Sequence, residues 1–174
     1  MEMMTAFETH AARYQRKVYS FARYLLSSPE EAEDVTQEVL LRLWRHERRL
    51  DEERLGSWLL RVTRNACYDL LRRRRAAGPV AAAESLDGEE AREVPTADPD
   101  PESRMQTSDF RRRLLEALGD LDEPYKSAVI LREVQGLSHR EIGEILGVPE
   151  VTVRVHIHRG RKKLREVLRE VYTP

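Results

Sequence analysis

The chain has 174 residues, 40% hydrophobic and 35% charged, with a formal net charge of −1. That length allows one or two small domains, and an aromatic content of only 6% with few glycines argues against sandwiches and barrels. The single cysteine, Cys67, excludes a disulfide framework or a cysteine-built zinc cluster. No apolar run approaches the ~20 residues that span a bilayer, so a cytoplasmic protein without membrane insertion, cofactor or metal is expected.

The near-neutral total hides an uneven distribution. Residues 1–75 carry 15 basic and 12 acidic side chains, net +3. Residues 76–107 carry 2 and 8, net −6, and residues 108–174 carry 13 and 11, net +2. Two mildly basic modules flanking an acidic connector are therefore expected. Both modules read as all-α, joined by a flexible linker.

In the first module, helices are predicted from about Thr5 to Arg74, broken at Ser27-Ser28-Pro29. Proline followed by Glu30, Glu31, Glu33 and Asp34 suits a helix start, where φ is fixed and the dipole end is positive. Val35, Val39, Leu40, Leu43 and Trp44 then recur at helical period. Opposite Val39, Leu40 and Leu43, the residues Asp34, Gln37, Glu38, Leu41 and Arg45 form a polar stripe around one leucine, the pattern of a protein-binding hot spot as well as of an ordinary solvated face.

A second stripe, Leu55, Trp58, Leu59, Val62 and Ala66, predicts the next helix, with Trp58, Val62 and Ala66 on its core face. Arg61, Arg64, Asn65, Tyr68 and Arg72 run along one side of it and continue into Arg73-Arg74-Arg75. Basic groups interleaved with an amide and an aromatic suit nucleic acid, unstacked bases included. A solvated helix ending in basic residues is the simpler alternative.

Ala76-Ala77-Gly78-Pro79 stops the helix, and the proline-rich, acidic stretch from Val94 to Pro101 cannot propagate one. Residues 76–107 read as linker. Helical spacing resumes with Phe110, Leu114, Leu115 and Leu118, and again from Pro124 to Val134.

The strongest local signal lies after that. Leu137-Ser138-His139-Arg140-Glu141 predicts a helix opened by a capping box between Ser138 and Glu141. Gly147 ends it in a left-handed cap, and Pro149-Glu150 starts the next helix. Two helices joined by so short a turn are a helix-turn-helix. On the second helix, Val153, Ile157, Gly160 and Leu164 share the core side. Val151, Val155, His158, Arg159 and Lys162 face away, flanked by Thr152, Arg154 and Arg161. Arginine can donate twice to a guanine edge, a β-branched methyl can meet a thymine methyl, and lysine can neutralise phosphate. His156 and His158 lie two apart on a helix and do not share a face, so no metal site is expected from them.

Residues Ala32 to Arg45 and Ser57 to Arg73 resemble region 2 of extracytoplasmic-function (ECF) sigma factors. Leu121 to Glu133, Gly136 to Pro149 and Thr152 to Leu164 resemble region 4. The resemblance implies an alternative sigma factor with three kinds of partner: bacterial core RNA polymerase, promoter DNA and an anti-sigma factor. Asp34, Gln37, Glu38, Leu41 and Arg45 fall on the family's polymerase-binding surface. Arg61, Asn65 and Asp69 fall where it reads the single-stranded −10 element, with Arg64 and Arg72 on the same stripe. Thr152, Arg154, Val155, Arg159 and Arg161 fall on the helix that enters the −35 duplex, and Arg140, His158 and Lys162 complete that set. Val151 stands where the family often has glycine, and Gly143 where it often has alanine; a glycine there should weaken its helix by roughly 0.5–1 kcal/mol. A stand-alone helix-turn-helix regulator with an N-terminal sensing domain would explain the second module but not the Asp34–Glu38 face. No phosphate loop or nucleophile paired with a base is visible, so an enzyme is not expected.

Overall fold

The computed structural model describes residues 5–46, 49, 51–78 and 101–172, with the side chains of 101–107 and 170–172 outside that set. The described residues form seven helices and no strand. They are α1 (Ala6–Leu26), α2 (Pro29–His46), α3 (Glu52–Ala77), α4 (Pro101–Gly119), α5 (Tyr125–Glu133), α6 (His139–Leu146) and α7 (Glu150–Tyr172). Most of the segment read as linker, residues 79–100, lies outside the described residues. The helix expected near Phe110 begins earlier, at Pro101, where the fixed proline φ suits a first helical turn.

Helices α1, α2 and α3 pack on one another. Thr5 opens α1 with a capping box that the sequence reading did not register: Thr5 N donates to Glu8 Oε2 at 2.7 Å, and Glu8 N to Thr5 Oγ1 at 3.2 Å. Its core stripe is Val18, Phe21, Ala22 and Leu25. Helix α2 starts at Pro29 as expected and buries Ala32, Val35, Thr36, Val39 and Leu43.

Trp44, expected among the core residues, is 63% exposed. It follows Leu43 by one residue, hence by 100°, while the buried row Val35, Val39 and Leu43 steps by four. A similar rotation corrects α3. Its buried row is Leu55, Leu59, Leu60, Thr63, Ala66 and Cys67, with Trp58 and Val62 only half-buried. A threonine can occupy that row because its hydroxyl donates to Leu59 O at 2.7 Å, and Thr36 does the same to Ala32 O at 2.6 Å.

In the second module α5 and α6 pack on α7, and α4 packs on α7. The capping box of α6 is present: Ser138 N donates to Glu141 Oε2 at 2.8 Å and Glu141 N to Ser138 Oγ at 3.2 Å. Those bonds hold the Glu141 carboxyl below the usual carboxylate range. Gly147 closes the helix at φ 70°. The core side of α7 is Val153, Ile157, Gly160 and Leu164, as the projection places it.

Two glycines mark close approaches. A Cβ on Gly143 would stand 2.7 Å from Val148 O, so this glycine lets the turn fold back on its helix. The backbone cost expected of it is thus offset by a contact that a side chain would obstruct. A Cβ on Gly160 would stand 2.4 Å from Val129 Cγ2 and 3.2 Å from Tyr125 O. Helix propensity favours alanine by about 1 kcal/mol, but Val129 is buried and β-branched and cannot swing aside cheaply. Overpacking of this kind costs roughly 1–3 kcal/mol. The difference leaves Gly160→Ala less stable by up to about 2 kcal/mol in urea unfolding; a variant more stable than the wild type, as helix propensity alone would give, would refute the reading of α5–α7 packing.

Candidate nucleic-acid interface

Three outward faces carry the residues singled out in the sequence. On α2, Asp34, Gln37, Glu38, Leu41 and Arg45 are all exposed, Leu41 to 54%. They point outward because Val35, Val39 and Leu43 claim the opposite side. Glu38 is tied to Arg42 at 2.5 Å, an exposed i,i+4 pair of small energetic weight. Trp44 extends this face, a residue that sequence reasoning had assigned to the core. The one-residue offset from Leu43 was the signal available for it.

On α7, Val151, Arg154, Val155, His158, Arg159 and Lys162 are exposed, and Thr152 is half-buried at the edge. Val155 is 42% exposed between cationic neighbours. Arg154 has no hydrogen-bond or ion-pair partner among the described residues and is free to reach out. Arg159 Nη1 donates to Tyr125 Oη at 3.3 Å, and Arg161 Nε donates to Glu133 Oε1 at 2.6 Å, so both are steadied from α5. Arg140, on α6, pairs with Glu144 at 3.5 Å. His156 lies half-buried with its ring edge-on to Tyr125 at 5.6 Å. Burial first, then the Arg159 charge, pulls its pKa below the ordinary histidine value, so it belongs to the packing of α7 on α5.

The α3 face is different, because the second module covers part of it. Arg61 Nη2 donates to Glu144 O at 2.6 Å. Arg64 Nη2 donates to Glu123 Oε2 at 3.1 Å and its Nε to Ser127 Oγ at 3.2 Å. The Tyr68 hydroxyl donates to Glu123 Oε1. Burial and the adjacent carboxylate push the Tyr68 pKa up, which keeps it a donor. The Arg64 guanidinium lies 5.2 Å from the centre of the Tyr68 ring, a cation–π stack. Asn65 is exposed, while Asp69 and Arg72 pair with each other. The acidic residue on this basic stripe thus has a local partner. Of the five residues expected along α3, the structure brings Arg61 and Arg64 to the other module and leaves Asn65 uncommitted. Tyr68, named beside them, is engaged as well.

Comparison with known proteins places the chain in a family. Residues 11–77 match the Sigma-70 region 2 family and residues 111–164 match Sigma-70, region 4. The chain is 36% identical over 165 residues to ECF RNA polymerase sigma factor SigE of Mycolicibacterium smegmatis, covering 95% of this chain and 62% of that protein. It is thus similar to a little under two thirds of that relative's length. It is 34% identical over 167 residues to RNA polymerase sigma factor CarQ of Myxococcus xanthus, covering 95% of this chain and 91% of CarQ. Among solved structures, CnrH in complex with the cytosolic domain of CnrY aligns with a TM-score of 0.69 and 26% identity, over 97% of this chain and 90% of that one. Both sigma regions are matched in order, and the ECF RNA polymerase sigma-E factor of Haemophilus influenzae is 33% identical over 91% of this chain and 85% of its own length, so the chain belongs to the ECF RNA polymerase sigma factors.

Proposed function

We propose that the protein binds core RNA polymerase through the outward face of α2, reads duplex DNA upstream with α7, and captures unstacked bases with α3. The observation that carries this is the presence, on one sigma-family chain, of an exposed leucine–tryptophan pair on α2 and an exposed cationic face with an apolar centre on α7. On this reading residues 1–75 and 108–174 are separate recognition modules and 76–107 connects them. The protein is a specificity factor and not an enzyme: polymerase makes the phosphodiester bonds. Its place is the cytoplasm, where polymerase and promoter are, and none of the described helices is long and apolar enough to cross a membrane. An anti-sigma factor is the partner expected to hold it inactive, since the sigma factor RpoE from Bartonella quintana, which shares this fold at a TM-score of 0.72, is solved with the anti-sigma factor NepR.

On α2, Leu41 and Trp44 supply apolar area, and Asp34, Gln37, Glu38 and Arg45 surround it with polar groups that fix orientation. On α7, Arg154 and Arg159 suit base edges, Val155 a thymine methyl, and Arg161, Lys162 and Arg140 phosphates, with Thr152 and His158 at the margins. On α3, Arg61, Arg64, Asn65, Asp69 and Arg72 line the single-strand site, and the Arg64–Tyr68 stack offers a platform for a flipped base. Flipping costs a few kcal/mol, repaid by stacking and hydrogen bonds.

Run-off transcription with purified core polymerase on a promoter library is the direct test: promoter-specific transcripts dependent on this protein are expected, and none under any condition would refute the proposal. Trp44→Ala removes a side chain that packs little in the folded chain. It should leave the thermal midpoint unchanged while weakening core-polymerase affinity by about 2 kcal/mol, the scale of an aromatic hot spot; equal affinity in a fluorescence titration would remove Trp44 from the interface. On α7, two substitutions should behave differently. Arg154→Ala should cost about 1–3 kcal/mol and relax preference at one duplex position, whereas Lys162→Ala should weaken all duplexes alike and reduce the salt slope by about one. Identical sequence profiles for the two variants would contradict the assigned roles.

A further inference from the structure

A cleft of about 650 Å³ opens where α1, α3 and the start of α6 come together. Its chemistry differs from wall to wall. Helix α1 contributes Arg13, Arg16 and Lys17, spaced by three and four residues and so grouped on one face within about a single turn. None of the three makes a salt bridge among the described residues, and the Arg13 guanidinium lies 5.3 Å from the centre of the Tyr14 ring. Tyr14 can lie against α3 because Gly56 faces it: a Cβ there would stand 3.3 Å from Tyr14 Cε1. Helix α3 adds Glu53, Ser57 and Leu60, and the far side is closed by Leu137 and Glu141. Leu60 and Leu137 belong to one continuous hydrophobic cluster, so the walls are packed into a common core and the cleft between them is preformed.

We propose that this cleft binds a phosphorylated small molecule of nucleotide size, with its phosphates on Arg13, Arg16 and Lys17. The charge balance favours an anion. Three cations face two carboxylates, and one of the two, Glu141, is already engaged. It accepts from Ser138 N at 2.8 Å, and the Ser138 bonds first, with the charge of Lys17 after them, hold it ionised. Two guanidinium forks and an ammonium within one helical turn suit the several oxygens of a phosphate group. The volume selects against a bare oxyanion, because it falls in the range of roughly 300–1,000 Å³ found for sites that enclose whole small molecules. The rest of the lining matches the rest of such a ligand. Leu60, Leu137 and the Tyr14 ring offer apolar surface to a planar body. Ser57 and Glu53 can hydrogen-bond sugar hydroxyls, the carboxylate as acceptor. The site uses none of the residues assigned to polymerase or DNA in the proposed function.

Calorimetric titration of the full chain with ADP and with GDP tests this, run beside adenosine, guanosine and inorganic phosphate. At least one diphosphate should bind. Its parent nucleoside should bind about tenfold more weakly or worse, because it lacks the charge-assisted bonds. Inorganic phosphate should be weaker by about the same factor, because it leaves the apolar walls unfilled. Amide spectra then locate the ligand: the diphosphate should shift Gly56 and Leu137, which stand on opposite walls. Arg16→Gln combined with Lys17→Gln should keep the helical circular dichroism and lose about tenfold or more in affinity. No binding by either diphosphate, or shifts confined to α7, would overturn the site. Phosphate binding as tightly as a diphosphate would overturn the nucleotide-sized ligand. A double variant that binds as well as the wild type would overturn the placing of the phosphates on α1, and the proposal with it. Should that variant unfold, the shifts at Gly56 and Leu137 in the unaltered chain decide the outcome.

Discussion

The Glu123 carboxylate serves two structures at once. Towards the helix that follows it, Glu123 accepts from Ser127 and satisfies an N-terminal backbone donor of α5. Towards α3 it accepts from Arg64 and Tyr68. This shared group is where the outward stripe of α3 meets the turn that leads into α5, beside a hydrophobic cluster that contains buried residues of both modules. Arg64 and Glu123 are each about a quarter exposed, at 24% and 23% of their side chains, so the pair is neither a trivial surface contact nor a fully desolvated one. An interaction in that range holds a geometry without making it permanent.

Each module applies the same rule to different chemistry. A helix whose apolar residues step by three and four buries one side and leaves the other to function. On α2 this leaves Leu41 and Trp44 exposed beside Asp34 and Glu38. On α7 it leaves Arg154, Val155 and Arg159 outward while Val153, Ile157 and Gly160 are buried against the rest of the module. Gly160 matters here because α5 and α7 approach so closely that a methyl would collide with Val129. The exposed face of α7 is thereby fixed in direction by a contact on its far side.

Much of this was legible in the sequence because it depends on local rules. The capping box of Ser138 and Glu141, the Gly147 turn, the Pro29 start and the buried row of α7 follow from spacing and backbone preference alone, and the structure reproduces them. The family was legible too, from motifs in order. Trp44 and the core row of α3 were misplaced because several apolar residues compete for one stripe, and only the packed neighbours α1 and α2 decide which of them turns inward. The close approach at Gly143 was out of reach for a similar reason: a propensity scale contains no Val148 carbonyl. The engagement of Arg64 and Tyr68 with Glu123 was beyond reach. Those residues are 59 and 55 positions apart, and no periodicity connects them. Sequence determined which residues each helix presents; tertiary structure decided which of those faces meet, because meeting depends on how rigid modules dock and not on the order of residues along either one.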